Sequence, residues 1–354
     1  MSLFGLVCVT ALLATLILVG ITCAGSRQIE RRHPPVGHFR NVGGTRLHYV
    51  HVPGPRGSLP PLVFFHGATA NLNDQMVPLQ PLLEGRAELL FVDRPGHGWS
   101  ARGRGNDTPF GQAKTIAALM DELGIDRAML IGHSFGGATA AAFALAYPER
   151  TSGLVMLAPA SHPWPGGATA WYYSLAAMPI LGPLFVATLI YPLGLRRLAA
   201  ATQAVFAPNE VPDDYAWRAA IPLILRPCVF RANALDVAGL FGFVSAAASR
   251  YQEIAAPCVI ITGDRDTVVA DAIHAAGLAQ ALPQATLVRV RNLGHKPDWI
   301  ARDLVLAGIE NVAGLPRDLA AATAKVEARI ADDRFPARPV RTEDQRGSAE
   351  LAPQ

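Results

Sequence analysis

The sequence predicts an α/β fold, a mostly parallel sheet with helices on both faces and a helical cap inserted between two of its strands. Three observations predict it. Short apolar runs recur with helical patterns between them, this alternation fails over about residues 161–251, and one run ends in a Gly-x-Ser-x-Gly turn that opens into a small-residue helix. Buried strands alternating with helices build parallel sheets, because each crossover helix must cover a sheet face.

Composition sets the outer bounds. The 354 residues are 51% hydrophobic and 17% charged, which excludes a disordered chain and leaves room for one large domain with an insertion or for two average domains. The formal net charge is only +3, and Lys and Arg form no blocks interleaved with aromatics, so nucleic acid is not an expected partner.

From the amino terminus, residues 1–26 carry no charged side chain, and Leu3 to Ile21 is long enough to cross the ~30 Å hydrocarbon layer as a helix. We read a retained single-pass anchor. Thr22-Cys23-Ala24 would also serve as a cleavage site, so secretion after signal removal is the alternative. Arg27, Arg31 and Arg32 follow the span; their bias favours a cytoplasmic body, although one short flank leaves the side open. Residues 27–38 read as a polar linker.

The core is expected over residues 39–160 and 252–315. Arg46 to Val52 alternates like an antiparallel strand, and Leu62–Phe65, Leu89–Val92, Ala128–Ile131, Leu154–Leu157, Val259–Ile261 and Leu287–Val290 read as buried strands. Helices fit at Thr115–Leu123, Gly137–Tyr147, Ala270–Leu282 and Trp299–Val312. The cap, residues 161–251, includes a charge-free stretch from Ala170 to Leu195, where Pro179, Gly182, Pro183 and Pro192 argue against a second span. Its apolar underside either packs on the body, lines a lipophilic pocket or touches a bilayer. Residues 316–354 read as one further helix and a disordered tail from Arg338. Cys8, Cys23, Cys228 and Cys258 form neither a disulfide framework nor a metal-ligand spacing, and no cofactor is implied.

Chemistry concentrates at strand ends. Ser134, at the tip of Gly132-His133-Ser134-Phe135-Gly136, is a candidate nucleophile, and a serine in that role needs a base, a group that orients the base, and donors for an oxyanion. His295 follows the last strand behind Gly294 and is the candidate base; a helix cap or surface histidine is the plainer alternative. Asp266, after the strand Val259 to Thr262, is the candidate orienting acid in preference to Asp264, its alternative role being a helix cap. The turn His66-Gly67-Ala68 ends the first parallel strand, and the amides of Ala68 and Phe135 are the candidate oxyanion donors. Asn71 and Asp74 either line the pocket entrance or cap the next helix, the cap being favoured.

These motifs, together with Asp93-Arg94-Pro95-Gly96-His97-Gly98-Trp99-Ser100, stand in an order that resembles the α/β-hydrolase superfamily over about Thr45 to Val312. The resemblance implies an eight-stranded sheet, a helical cap after the sixth strand, nucleophile Ser134, acid Asp266 and base His295, with His66, Gly67, Gly132 and Gly136 shaping the turns. His97 is structural on this reading. A serine at the elbow argues against relatives with an aspartate there. The expectation is a hydrolase of apolar carboxylic esters acting through an acyl-enzyme, with the same triad performing perhydrolysis, carbon–carbon hydrolysis or acyl transfer as the alternative. A non-enzymatic binding role fits a complete triad poorly. Oligomeric state is not specified by the sequence.

Overall fold

In a computed structural model of the chain, residues 2–55 and 59–334 are described. Eight strands form one sheet: β1 His38–Val42, β2 Thr45–Val52, β3 Leu62–Phe65, β4 Leu89–Val92, β5 Ala128–His133, β6 Thr151–Leu157, β7 Cys258–Gly263 and β8 Ala285–Val290. Their order across the sheet is β1-β2-β4-β3-β5-β6-β7-β8. β2 runs antiparallel to both of its neighbours, and all later pairs are parallel. This is the α/β-hydrolase fold. The tail from Arg338 lies outside the described residues.

The central strands read as continuous apolar runs because both of their faces are buried. Val63 and Phe65 join Leu130 and Met156 under the helices Pro109–Leu123 and Phe135–Ala146, while Leu62, Phe64, Met129 and Ile131 point the other way, toward Asn73–Leu83 and Arg302–Val312. Phe64 stacks on Phe91 of the neighbouring strand, ring centroids 4.2 Å apart. Truncating such a residue to Ala costs about 3–5 kcal/mol, so these strands hold their C-terminal ends in fixed places. Every candidate catalytic residue sits just beyond one of those ends.

Between β6 and β7 the chain leaves the sheet for helices at Trp171–Ala177, Leu181–Phe185, Tyr191–Phe206 and Tyr215–Arg218, and a longer one at Pro227–Ala247. Val186–Ile190 continues the second into the third with a wider, π-type turn.

Several elements differ from expectation. The helix expected from Thr115 begins at Pro109, capped by Thr108, and the one expected over Ala270–Leu282 is shorter, His274–Ala281. The N-terminal helix runs Leu3–Arg32, through the first half of the expected linker. Its Thr22, Gly25 and Ile29, spaced along one helical face, are buried against the cap, and that docking continues a helix whose sequence has turned polar. The hairpin strand β1 was not legible, because a short edge strand carries little apolar pattern. The last core helix breaks at Ala301 into Pro297–Ile300 and Arg302–Val312.

Candidate active site

Ser134 sits between β5 and the Phe135–Ala146 helix at φ 53°, ψ −119°, a region that L-residues seldom occupy. The turn is held from both sides: Ser134 donates its amide to the carbonyl of Leu157, and its own carbonyl accepts from the amides of Gly137 and Ala160. Glycine is required at both flanks by crowding. A methyl group at Gly136 would lie 1.9 Å from the carbonyl oxygen of Phe65, and one at Gly132 would lie 2.7 Å from that of Gly136.

The structure brings His295 and Asp266 together beyond β8 and β7. His295 Nδ1 bonds Asp266 Oδ2 at 2.6 Å, and the other carboxylate oxygen accepts the amides of Val268 and Val269. Asp266 is thus both the imidazole's partner and the anchor of its own turn. Asp264 faces elsewhere, accepting the amide of Asn292. Gly294 allows the cap's backbone to cross beside the histidine, since a methyl there would lie 2.3 Å from the carbonyl oxygen of Ala207.

Behind His295 stands His133. Its Nε2 bonds the carbonyl of His295 at 2.8 Å and the two rings lie 4.9 Å apart. Burial, then the charge of Lys296, push the His133 imidazole well below the usual histidine range, so it is neutral and Nε2 carries the proton it donates.

The His66–Gly67 turn lies against the elbow: a methyl at Gly67 would come within 3.2 Å of Ser134 Cβ. Arg94 holds this turn from behind. Its guanidinium, fully buried, donates to the carbonyls of His66 (2.9 Å) and Gly67 (3.2 Å) and lies 4.4 Å over the ring of Phe135. The Arg94 charge is met by Asp236 of the Pro227–Ala247 cap helix at 2.8 Å, and the same carboxylate accepts from Arg102 at 2.6 Å and Gln112 at 3.0 Å. His66 and His97 flank Arg94 as neutral rings, pushed well below their ordinary range by burial and then by that cation. His66 Nδ1 donates to the carbonyl of Gly67 and Nε2 accepts the Arg94 amide.

A second buried charge cluster adjoins the histidine loop. Lys296 donates to Asp74 at 2.8 Å and to Asp298 at 3.1 Å, while Asp74 also accepts from Tyr215 of the cap and from Trp299. Asp74 therefore bonds tertiary partners and leaves the helix start to Asn71, whose side-chain oxygen accepts the amide of Asn73. Burial alone would lower the Lys296 ammonium, but Asp298 and Asp74 raise it above its ordinary value; burial pushes Asp298 up to about 6. Among the described residues, Asp74, His133 and Asp298 have donor atoms close enough to surround a metal ion, but the Lys296 ammonium already bonds both carboxylates and supplies the cation.

Sequence reasoning missed Arg94, Asp236 and Lys296 as site-building groups. Arg94 stood inside a motif whose glycines and His97 were noticed, and a charged side chain between two buried strands was the available signal. Ser134 and His295 are 8% and 4% exposed, so the site is closed beneath the cap.

A sequence profile described as "alpha/beta hydrolase fold" matches residues 60–299. A dihydrolipoyllysine-residue acetyltransferase component of the acetoin cleaving system from Cupriavidus necator is 32% identical over 121 residues, 34% of this chain and 31% of that protein. The chain thus spans about a third of the length of the first curated relatives it matches. A 2-hydroxy-6-oxononadienedioate/2-hydroxy-6-oxononatrienedioate hydrolase from Cupriavidus pinatubonensis is 27% identical over 66% of this chain and 78% of its own. Among solved structures, a bacterial membrane phospholipase A superposes with a TM-score of 0.56 over 87% of this chain and 98% of that one, at 23% identity, a likeness of fold.

Proposed function

The chain belongs to the α/β hydrolase family, and from that premise we propose that it is a membrane-anchored serine hydrolase cleaving carboxylic esters with apolar acyl groups. The observation that carries the reading is the 2.6 Å bond between His295 and Asp266, at the same sheet edge as a strained Ser134. With Nδ1 committed to Asp266, Nε2 is the free nitrogen that would take the Ser134 proton as the hydroxyl attacks the ester carbonyl. Asp266 holds that tautomer and offsets the charge of the imidazolium that follows. The amides of Ala68 and Phe135 receive the developing oxyanion, each worth about 3 kcal/mol of transition-state stabilisation. The imidazolium returns its proton to the leaving alcohol, and water, activated by the same histidine, releases the acid.

The acyl preference rests on the apolar cap and on an N-terminal helix, Leu3–Arg32, whose first two-thirds is apolar and uncovered. A fluorophosphonate should label the wild-type protein and leave Ser134→Ala unlabelled; equal labelling removes the serine from the mechanism. A second reading, carbon–carbon bond hydrolysis by the same three side chains, is supported by the relative named as a 2-hydroxy-6-oxononadienedioate hydrolase. A panel of p-nitrophenyl esters separates the two, since intact labelling with no ester turnover at any chain length favours the second.

A further inference from the structure

We infer that the first half of the cap lies in the headgroup boundary of the same bilayer that the N-terminal helix enters, with its exposed apolar face resting on lipid. The inference rests on the anchor in the function proposed above. Leu3 to Ile21, at about 1.5 Å per residue, span about 28 Å, close to the hydrocarbon thickness, which puts Thr22 at the interface. Thr22 does not stand alone there. Its hydroxyl bonds the carbonyl of Thr188, Gly25 is pressed against the ring of Tyr191, and Ile29 is packed with Phe185, Val186 and Ile190 of the cap. Arg226 of the cap pairs with Glu30 at 3.0 Å, and Trp99 of the body donates to the carbonyl of His33. These contacts join the helix to the cap, so the depth of one constrains the depth of the other.

The cap surface beside that junction is apolar and uncovered. Ile180 is 86% and Trp171 69% exposed, and Leu181, Leu184, Leu189 and Leu193 continue the face along the helical stretch to residue 206. Phe185, Val186 and Ile190 on the opposite side fill the interior of the cap. A stretch with a buried apolar side and an exposed apolar side has no aqueous face, and an exposed apolar area of this size marks a contact surface. The stretch does not span a membrane, because Phe206 at its end is buried in the body against Tyr215. Exposed Arg196 and Arg197 beyond the leucines, with Arg27, Arg31 and Arg32 after the anchor, place cations where anionic headgroups lie.

The test uses the full chain in phosphatidylcholine/phosphatidylglycerol vesicles whose acyl chains carry a fluorescence quencher. Single cysteines at Leu12→Cys, Leu184→Cys and Leu193→Cys, with Cys8, Cys23 and Cys228 replaced by Ser, each carry a polarity-sensitive dye. Quenching at all three positions is expected. Quenching at position 12 alone leaves the anchor standing and overturns this inference; quenching at none overturns both. Disulfide cross-linking between copies through Leu184→Cys, without lipid quenching, assigns the face to a second copy and also overturns it. The double variant Leu184→Asp/Leu193→Asp should lose about tenfold or more on a lipid ester carried in vesicles while keeping its rate on soluble p-nitrophenyl acetate. Equal loss on both substrates counts against lipid docking. If the wild-type protein turns over neither substrate but quenches at all three positions, the ester reading falls and the docking remains.

Discussion

Around Ser134 and His295 this molecule buries charge, and along the first half of its cap it exposes hydrocarbon. Arg94, Asp236, Lys296, Asp74 and Asp298 are all inside, each ion paired, whereas Ile180, Leu181 and Leu184 of the cap stand outside. Both departures from the usual partition cost free energy in water, and the two are repaid differently. The buried ions are matched in two clusters at 2.6–3.1 Å, Asp236 between Arg94 and Arg102 and Lys296 between Asp74 and Asp298, which fixes the geometry beside Ser134 and His295. The leucines of the cap are uncovered among the described residues, and no charge is set against them.

The comparison breaks most visibly at Asp236. Asp236→Ala strands the Arg94 guanidinium, and unfolding in urea should show a loss of about 3–5 kcal/mol, with fluorophosphonate labelling of Ser134 slowing at the same time. A loss below 1 kcal/mol would mean that Arg94 finds another counter-ion. Next comes Lys296→Met, which leaves Asp74 and Asp298 facing one another; the expected loss is about 3 kcal/mol, partly recovered at pH 5, where Asp298 takes a proton.

The pH profile of the intact protein is a subtler probe. His66, His97 and His133 are held neutral when folded but take protons below about pH 6.5 when unfolded, so stability present above that pH is lost as the solution is acidified. Three such groups give a slope of up to about 4 kcal/mol per pH unit. Asp298 opposes them, because its raised pKa makes the folded state bind a proton between about pH 6 and the ordinary carboxylate range. Asp298→Asn should therefore steepen the acid loss by about 1.4 kcal/mol per pH unit in that window, measured by denaturant titrations at several pH values. An unchanged slope would place the proton elsewhere.

The smallest effect belongs to the N-terminal helix. Gly25→Leu would drive a side chain into the ring of Tyr191, and the body should change by less than about 1 kcal/mol while amide exchange over residues 186–195 accelerates. Unaltered exchange there would mean that the cap does not depend on the helix for its order.

What could be read in the sequence and what could not divide along the same line. The turns at His66-Gly67, Gly132 to Gly136, Gly263 to Asp266 and Gly294-His295 were legible because each sets glycine close to a functional side chain in a short motif, although the crowding that demands Gly136 and Gly294 comes from Phe65 and Ala207, far off in the chain. The pairing of Arg94 with Asp236 joins positions 142 apart, and that of Asp74 with Lys296 joins positions 222 apart. No periodicity announces such partners, and Asp74 at the start of a helix looked like an ordinary cap. The continuation of the first helix to Arg32 was hidden for a related reason, since Gly25 and Ile29 earn their helical state from the cap they touch rather than from their neighbours.

The Asp236 carboxylate also ties the Pro227–Ala247 helix to the body. Lifting that helix would separate one anion from two guanidiniums, one of them wholly buried, so any motion that frees this part of the cap must first find Arg94 another counter-ion. A spin label at Gly242→Cys should therefore stay still when substrate arrives, and movement there would show that the buried pair yields.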